Sequence, residues 1–202
     1  NITAWNKSFT GSATTKDTAF SAVVDSNGDV YVVGDFDSNW WIKKFTSAGV
    51  ENTTSWNKTF TGTGGGDEIA RSVALDSNDN VFVVGVAGNL VDGSSGQDWW
   101  IKKFTSAGVE DTTSWNLNFT GSATGADDAY SVALDSNDNV FVVGSGFDLV
   151  SGSSGVDWWI KKFNSSGVED TTNWNKNYSI SGEPTSEIAR SVALDSNDNV
   201  YV

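Results

Sequence analysis

Apolar and polar positions alternate along this chain in short runs, separated by stretches of Gly, Asn, Asp, Ser and Thr. Ala70 to Leu75, Val81 to Gly85, Trp99 to Phe104 and Trp115 to Phe119 are four such runs, rich in β-branched and aromatic residues. Side chains of that kind fit a pleated, half-buried surface, so each run predicts a β-strand. No window of helical length carries apolar residues at 3.6 spacing, which predicts almost no helix. Between the first two runs, Asp76-Ser77-Asn78-Asp79-Asn80 predicts a tight hairpin. Asn and Asp tolerate positive φ and bond their own backbone. Thr105-Ser106-Ala107-Gly108 turns the third strand toward the fourth.

The pattern recurs. Ser72 to Gly85 returns almost letter for letter at Ser131 to Gly144 and from Ser191 to Val202, with a looser copy at Ser21 to Gly34. Trp40-Trp41-Ile42-Lys43-Lys44-Phe45 reappears at Trp99 to Phe104 and at Trp158 to Phe163. A Trp-Asn pair stands at Trp5, Trp56, Trp115 and Trp174, in steps of 51, 59 and 59 residues. The short first step comes from a Gly/Ser loop, Asn89 to Gly96 in the second copy, that the first copy lacks. Length change confined to such a stretch is what a surface loop tolerates. Four short strands repeating every 50 to 60 residues predict an all-β fold of four-stranded antiparallel blades, a β-propeller. The single array spans residues 1–202, in units of about 1–60, 61–119, 120–178 and an incomplete 179–202.

Composition narrows the function without naming it. The 202 residues carry 26 acids against 12 bases, a net charge of -14. That balance argues against binding nucleic-acid backbones or anionic membrane surfaces. No apolar run approaches the roughly 20 residues that span a bilayer, so no membrane insertion is expected. Cysteine and histidine are absent. Their absence removes disulfides, thiolate zinc sites and any Cys/His or Ser/His nucleophile pair. No catalytic residue, metal or cofactor is therefore assigned.

Asp98-Trp99-Trp100-Ile101-Lys102-Lys103-Phe104, the Ser106-Ala107-Gly108 turn, Thr61-Gly62 to Asp67, and Ser72 to Gly85 together resemble the bacterial SBBP β-propeller repeat. The resemblance covers essentially the whole chain. It departs in the Trp-Trp pair, where the family is usually more aliphatic or Phe-bearing, and in the long Gly/Ser loops. It implies a propeller fold and an extracellular or cell-surface location. With Ser72 to Asp76 innermost, the register predicts an opening outer strand at Trp5 to Phe9 and two closing inner strands at Ala189 to Leu194 and Val200 to Val202. That makes fifteen strands, about three and a half blades. Propellers usually close at about 4–8 blades. The register thus predicts an excerpt of a longer propeller or filament; a ring shared between two chains is the other arrangement it allows.

Three sets of residues invite a chemical reading. The Trp pairs, Trp99 and Trp158 among them, are core or, alternatively, stacking platforms for glycan. Acids before each innermost strand, Asp67, Glu68, Asp127, Asp128 and Glu187, together with Asp92, Asp98, Asp148 and Asp157 of the loops, are either strand caps or a carboxylate rim facing the central mouth. Asp76-x-Asn78-x-Asn80 matches the first positions of a calcium loop, yet Val81 replaces the needed Gly and no Glu follows, so hairpin chemistry accounts for the same letters. The leading expectation is a non-enzymatic extracellular or cell-surface scaffold and interaction surface, partnered by other copies of itself or by surface proteins and glycans. The alternative is a lectin-like module with one Trp/acidic site per blade.

Overall fold

A computed structural model describes residues 5–11, 16–64, 66–91, 96–121, 125–150, 155–179 and 186–202. Fourteen strands follow in order: β1 (Thr18–Val24), β2 (Val30–Phe36), β3 (Asn39–Phe45), β4 (Lys58–Phe60), β5 (Ile69–Leu75), β6 (Val81–Gly88), β7 (Gln97–Phe104), β8 (Leu117–Phe119), β9 (Asp128–Leu134), β10 (Val140–Phe147), β11 (Val156–Phe163), β12 (Lys176–Tyr178), β13 (Ala193–Leu194) and β14 (Val200–Tyr201). They form three four-stranded sheets, each pairing its strands in chain order, and one two-stranded sheet. Every pairing between strands is antiparallel. The described residues contain no α-helix.

One turn serves all four units. Asp76 donates its N–H to the Asn80 carbonyl at 3.0 Å, and its carboxylate accepts the N–H groups of Asn78 and Asn80 at 2.9 Å. The Asn80 side-chain amide adds a third bond at 2.8 Å. Asp135 and Asp195 repeat this set, and Asp25 repeats its backbone part.

Each complete first strand also skips one residue against its partner. Phe20, Arg71 and Tyr130 are left unpaired, each flanked by residues that do pair. A bulge of this kind kinks the strand and brings two backbones close. Its mark on the partner strand is Gly34, Gly85 or Gly144. A Cβ there would meet the carbonyl oxygen of Thr18, Ile69 or Asp128 at 1.9 to 2.0 Å.

Successive sheets stack face to face, β5 against β1 and β2, β9 against β5 and β6, and β13 against β9. The apolar side chains consequently fall into three clusters, one at each junction. Trp-Trp splits between two of them because neighbours on a strand point to opposite faces. Trp40 reaches into the next sheet, donates to the Val86 carbonyl at 2.8 Å and rests 5.0 Å from Trp100. Trp99 does the same to Ser145 at 2.8 Å and Trp159 at 4.9 Å.

The structure corrects the expected elements in four places. The closing inner strand expected at Ala189 to Leu194 pairs only over Ala193–Leu194. Trp5 to Phe9 is not a strand: Phe9 packs on Trp41 at 5.0 Å as an outer strand would, but among the described residues no third strand lies beside it to pair with. Trp115 belongs to a turn closed by its N–H to the Asp111 carbonyl, so the fourth strand begins at Leu117. Asp98 and Asp157, expected on the Gly/Ser loops, lie inside β7 and β11 and are buried. Asp92 falls outside the described residues.

Replacing Gly85 by Ala drives a Cβ into the Ile69 carbonyl and is expected to cost about 2–3 kcal/mol of stability. Urea unfolding of G85A beside G66A checks it, because the nearest atom to a Gly66 Cβ is the Gln97 side-chain nitrogen at 3.9 Å.

Candidate functional site: a row of bulged side chains

A bulge re-aims the residue it leaves unpaired. Here the bulged side chains form a row along the neighbouring first strands. The Arg71 guanidinium lies 5.8 Å from the Phe20 ring and 4.7 Å from the Tyr130 ring, and the Arg190 guanidinium lies 5.1 Å from the Tyr130 ring. Aromatic and guanidinium planes thus alternate, an arrangement favoured by the ring quadrupole. Arg71 holds Asp128 as well, its Nε and Nη2 donating to the carboxylate at 3.1 to 3.2 Å. The Tyr130 hydroxyl donates to the same carboxylate at 2.9 Å. Burial, then the Asp128 charge, push the Tyr130 hydroxyl above its usual range. The row therefore offers stacking surfaces and a paired charge.

The sequence reading missed this row, although a signal existed. Ala19-Phe20-Ser21, Ala70-Arg71-Ser72, Ala129-Tyr130-Ser131 and Ala189-Arg190-Ser191 keep their flanks while the middle residue changes class. A position that varies inside an otherwise repeated strand faces something other than the shared core.

The acids expected at a binding rim separate into different environments. Glu68 is 2% exposed and Asp127 fully buried. Asp127 accepts the N–H groups of Gly121 at 2.8 Å and Phe147 at 2.6 Å, and the Thr120 hydroxyl at 3.1 Å, pinning two loops together. Glu68 faces the backbone of Gly62 and Gly88 in the corresponding place, and Asp17 holds Gly11 and Asp37 there. Asp128, next along the chain, turns instead to Arg71. Asp67 is exposed, and its carbonyl accepts the Gln97 side-chain amide at 2.8 Å. Glu187 is half-buried and shares a cavity of about 270 Å³ with Trp158, Tyr178 and Ser179. Trp99 is fully buried, with its indole N–H on Ser145, so it presents no ring face to a ligand. Asp98 and Asp157 tie down the loops, accepting the backbone of Leu90 and Val91, and of Leu149 and Val150.

The lysines of the third strand are also internal. Lys102 and Lys161 are 3% exposed and lie over Trp100 and Trp159. Lys102 meets Glu110, and Lys161 meets Glu169 at 2.6 Å; each also donates to the Asn of a Trp-Asn pair. Desolvation holds both ammonium groups below the usual lysine range. A carboxylate and an amide oxygen inside meet each buried ammonium group. Lys44, Lys103 and Lys162 reach the hairpin acids Asp25, Asp76 and Asp135. Those carboxylates are thereby filled by amides and an ammonium group. Among the described residues no cluster of acids is arranged to hold a metal ion.

No known family model matches the chain. No curated protein matches it either.

Burial raises the Asp127 carboxyl from 3.8 to about 6. Between those two values the folded protein keeps a proton that the unfolded chain has lost. Stability is therefore expected to fall as pH rises from about 4 to about 6 and to level off above, by on the order of 2–3 kcal/mol from this group. Urea midpoints for the wild type and Asp127→Asn across that window test it. Parallel pH profiles would contradict the assignment.

Proposed function

We propose that the units are blades of a β-propeller of the SBBP kind, and that the chain serves as a non-enzymatic extracellular or cell-surface scaffold and interaction surface. The single observation that carries this reading is where the repeated polar groups go. Trp40 and Trp99 donate to backbone in the following sheet. Ser26, Ser77 and Ser136 donate to Asp79, Asp138 and Asp198 of the following hairpin. The internal lysines neutralise acids of their own unit. Chemistry repeated in every unit thus serves cohesion between and within units. A repeat whose polar groups are engaged this way offers its partners shape and surface rather than a reaction.

The radial reading draws its support from the order of the sheets. Four-stranded meanders follow one another with their first strands side by side, β1 to β5 to β9 to β13. Right-handed twist makes such stacked sheets splay around their first strands. The closest contacts then fall on the inside, where the bulged row lies. Partners of this scaffold are further units of its own kind, on other copies or on surface proteins.

A glycan array on the intact protein is expected to stay flat, since Trp40 and Trp99 are sealed between sheets. Trp99→Ala is expected to cost about 3–5 kcal/mol of stability. Thermal unfolding checks that figure. Saturable glycan binding lost on replacing Trp158 by Ala would instead support a lectin.

A further inference from the structure

We infer that each four-stranded unit is built to cross-link itself, joining the Nζ of Lys43, Lys102 and Lys161 to the side-chain carbonyl carbon of Asn57, Asn116 and Asn175 as an amide, with ammonia released. The inference concerns side chains inside one unit and stands whether or not the units close into a propeller.

Three groups meet at the same place in every four-stranded unit. The lysine is the first of the Lys-Lys pair on β3, β7 or β11, and it is buried. Its Nζ lies 3.0, 3.0 and 3.4 Å from the oxygen of Asn57, Asn116 and Asn175 in turn. The same Nζ meets Glu51, Glu110 or Glu169. Backbone pairing holds both partners in place. The glutamate bridges to Phe45, Phe104 or Phe163 at the end of the third strand. The asparagine follows a Trp whose N–H closes a turn onto Asn52, Asp111 or Asp170. Amine and carboxamide held together in this way react without the entropic cost of an encounter.

The surroundings favour substitution over a plain ion pair. Each Nζ lies 4.2 to 4.7 Å from two ring centroids: Phe9 and Trp41, Phe60 and Trp100, or Phe119 and Trp159. Desolvation holds Lys102 and Lys161 below the usual lysine range, toward the neutral amine that is the nucleophile. The Asn oxygen takes a second donor, the indole N–H of Trp41, Trp100 or Trp159, at 2.9 to 3.1 Å. That donor draws electrons from the carbonyl and stabilises the oxyanion that attack creates. Each of the three asparagines is exposed as a residue, so ammonia has a way out.

The next lysine along the strand supplies an internal contrast. Lys44, Lys103 and Lys162 meet Asp25, Asp76 and Asp135, which have no ammonia to lose. At Lys44 desolvation is outweighed by bonds to Tyr31, Asp25 and Asp29, which hold the ammonium group above its usual range.

The step balances without a co-reactant. The glutamate takes a proton from the ammonium group, and the freed electron pair on Nζ forms a bond to Cγ of the asparagine. The glutamate passes that proton to Nδ2, and the Cγ–Nδ2 bond breaks with its pair on nitrogen. Ammonia departs and carries off, as ammonium, the second proton that Nζ sheds. The new amide fastens the third strand to the start of the fourth, which is only three residues long.

Intact-mass spectrometry of the purified full chain tests this. The mass is expected to fall below that of the sequence by three ammonia molecules, one for each four-stranded sheet. After trypsin, the peptide ending at Lys103 is expected to stay joined to the one that holds Asn116. Lys102→Arg and Glu110→Gln are each expected to restore the mass of one ammonia and to free that pair of peptides, leaving the other two links. The full sequence mass in the folded, unaltered chain would overturn the inference. So would ammonia loss without joined peptides, the sign of a succinimide instead. Fewer than three joined pairs would overturn it for the units left open, and a link surviving Glu110→Gln would overturn the role of the glutamate. The unaltered chain decides the main question even where a variant fails to fold.

Discussion

Each sheet in this protein has two apolar faces, and a second face can be buried only against another sheet. The Trp pair on the third strand makes that requirement concrete. One indole must leave its own sheet to find a carbonyl acceptor, as Trp40 does at Val86 and Trp99 at Ser145. The other must receive the indole of the sheet before it. Burial of large rings supplies most of the stabilisation in such a junction, and the N–H bond fixes its register. A unit alone would expose both rings and leave one N–H without its carbonyl. Burial of these rings therefore favours stacked units over isolated ones.

Charge follows from the same constraint. Stacking sheets on both faces puts the third-strand lysines inside, where an unpaired ammonium would be costly. The structure answers with Glu110 and Glu169 for Lys102 and Lys161, with Trp-Asn oxygens beside them, and with hairpin acids for the following lysine. The repeated Trp-Asn pair thereby acquires a reason. Its Asn accepts at once from the second Trp of the third strand and from the buried lysine, as Asn116 does from Trp100 and Lys102. Twenty-six acids against twelve bases still leave the chain strongly negative.

The bulge is where the repeat stops being uniform. Ala70 and Ala129 just before it are buried in the apolar clusters, and Gly34, Gly85 and Gly144 are imposed by the backbone approach it creates. The bulged residue itself answers to neighbouring units. Phe20, Arg71 and Tyr130 differ because each lies against the next, with Arg190 beyond Tyr130, and an aromatic ring beside a guanidinium is better placed than like beside like.

The strands, their antiparallel order, the Asp-led hairpins and the near absence of helix were legible in the sequence. All are local consequences of alternation, β-branching and turn chemistry, and a repeat states them several times. The acids at Glu68 and Asp127 read as a binding rim or as caps, because a carboxylate before a strand looks the same whether solvent or a backbone amide faces it. Only tertiary structure decided that Asp127 pins Gly121 to Phe147, and that Trp99 lies between sheets. The bulge row escaped notice for the same reason: pairing register is a relation between strands, and no single strand records which of its residues is left unpaired. Alternation along the chain determined what each segment is, while the meeting of one sheet with the next determined which side chains face each other and what they hold.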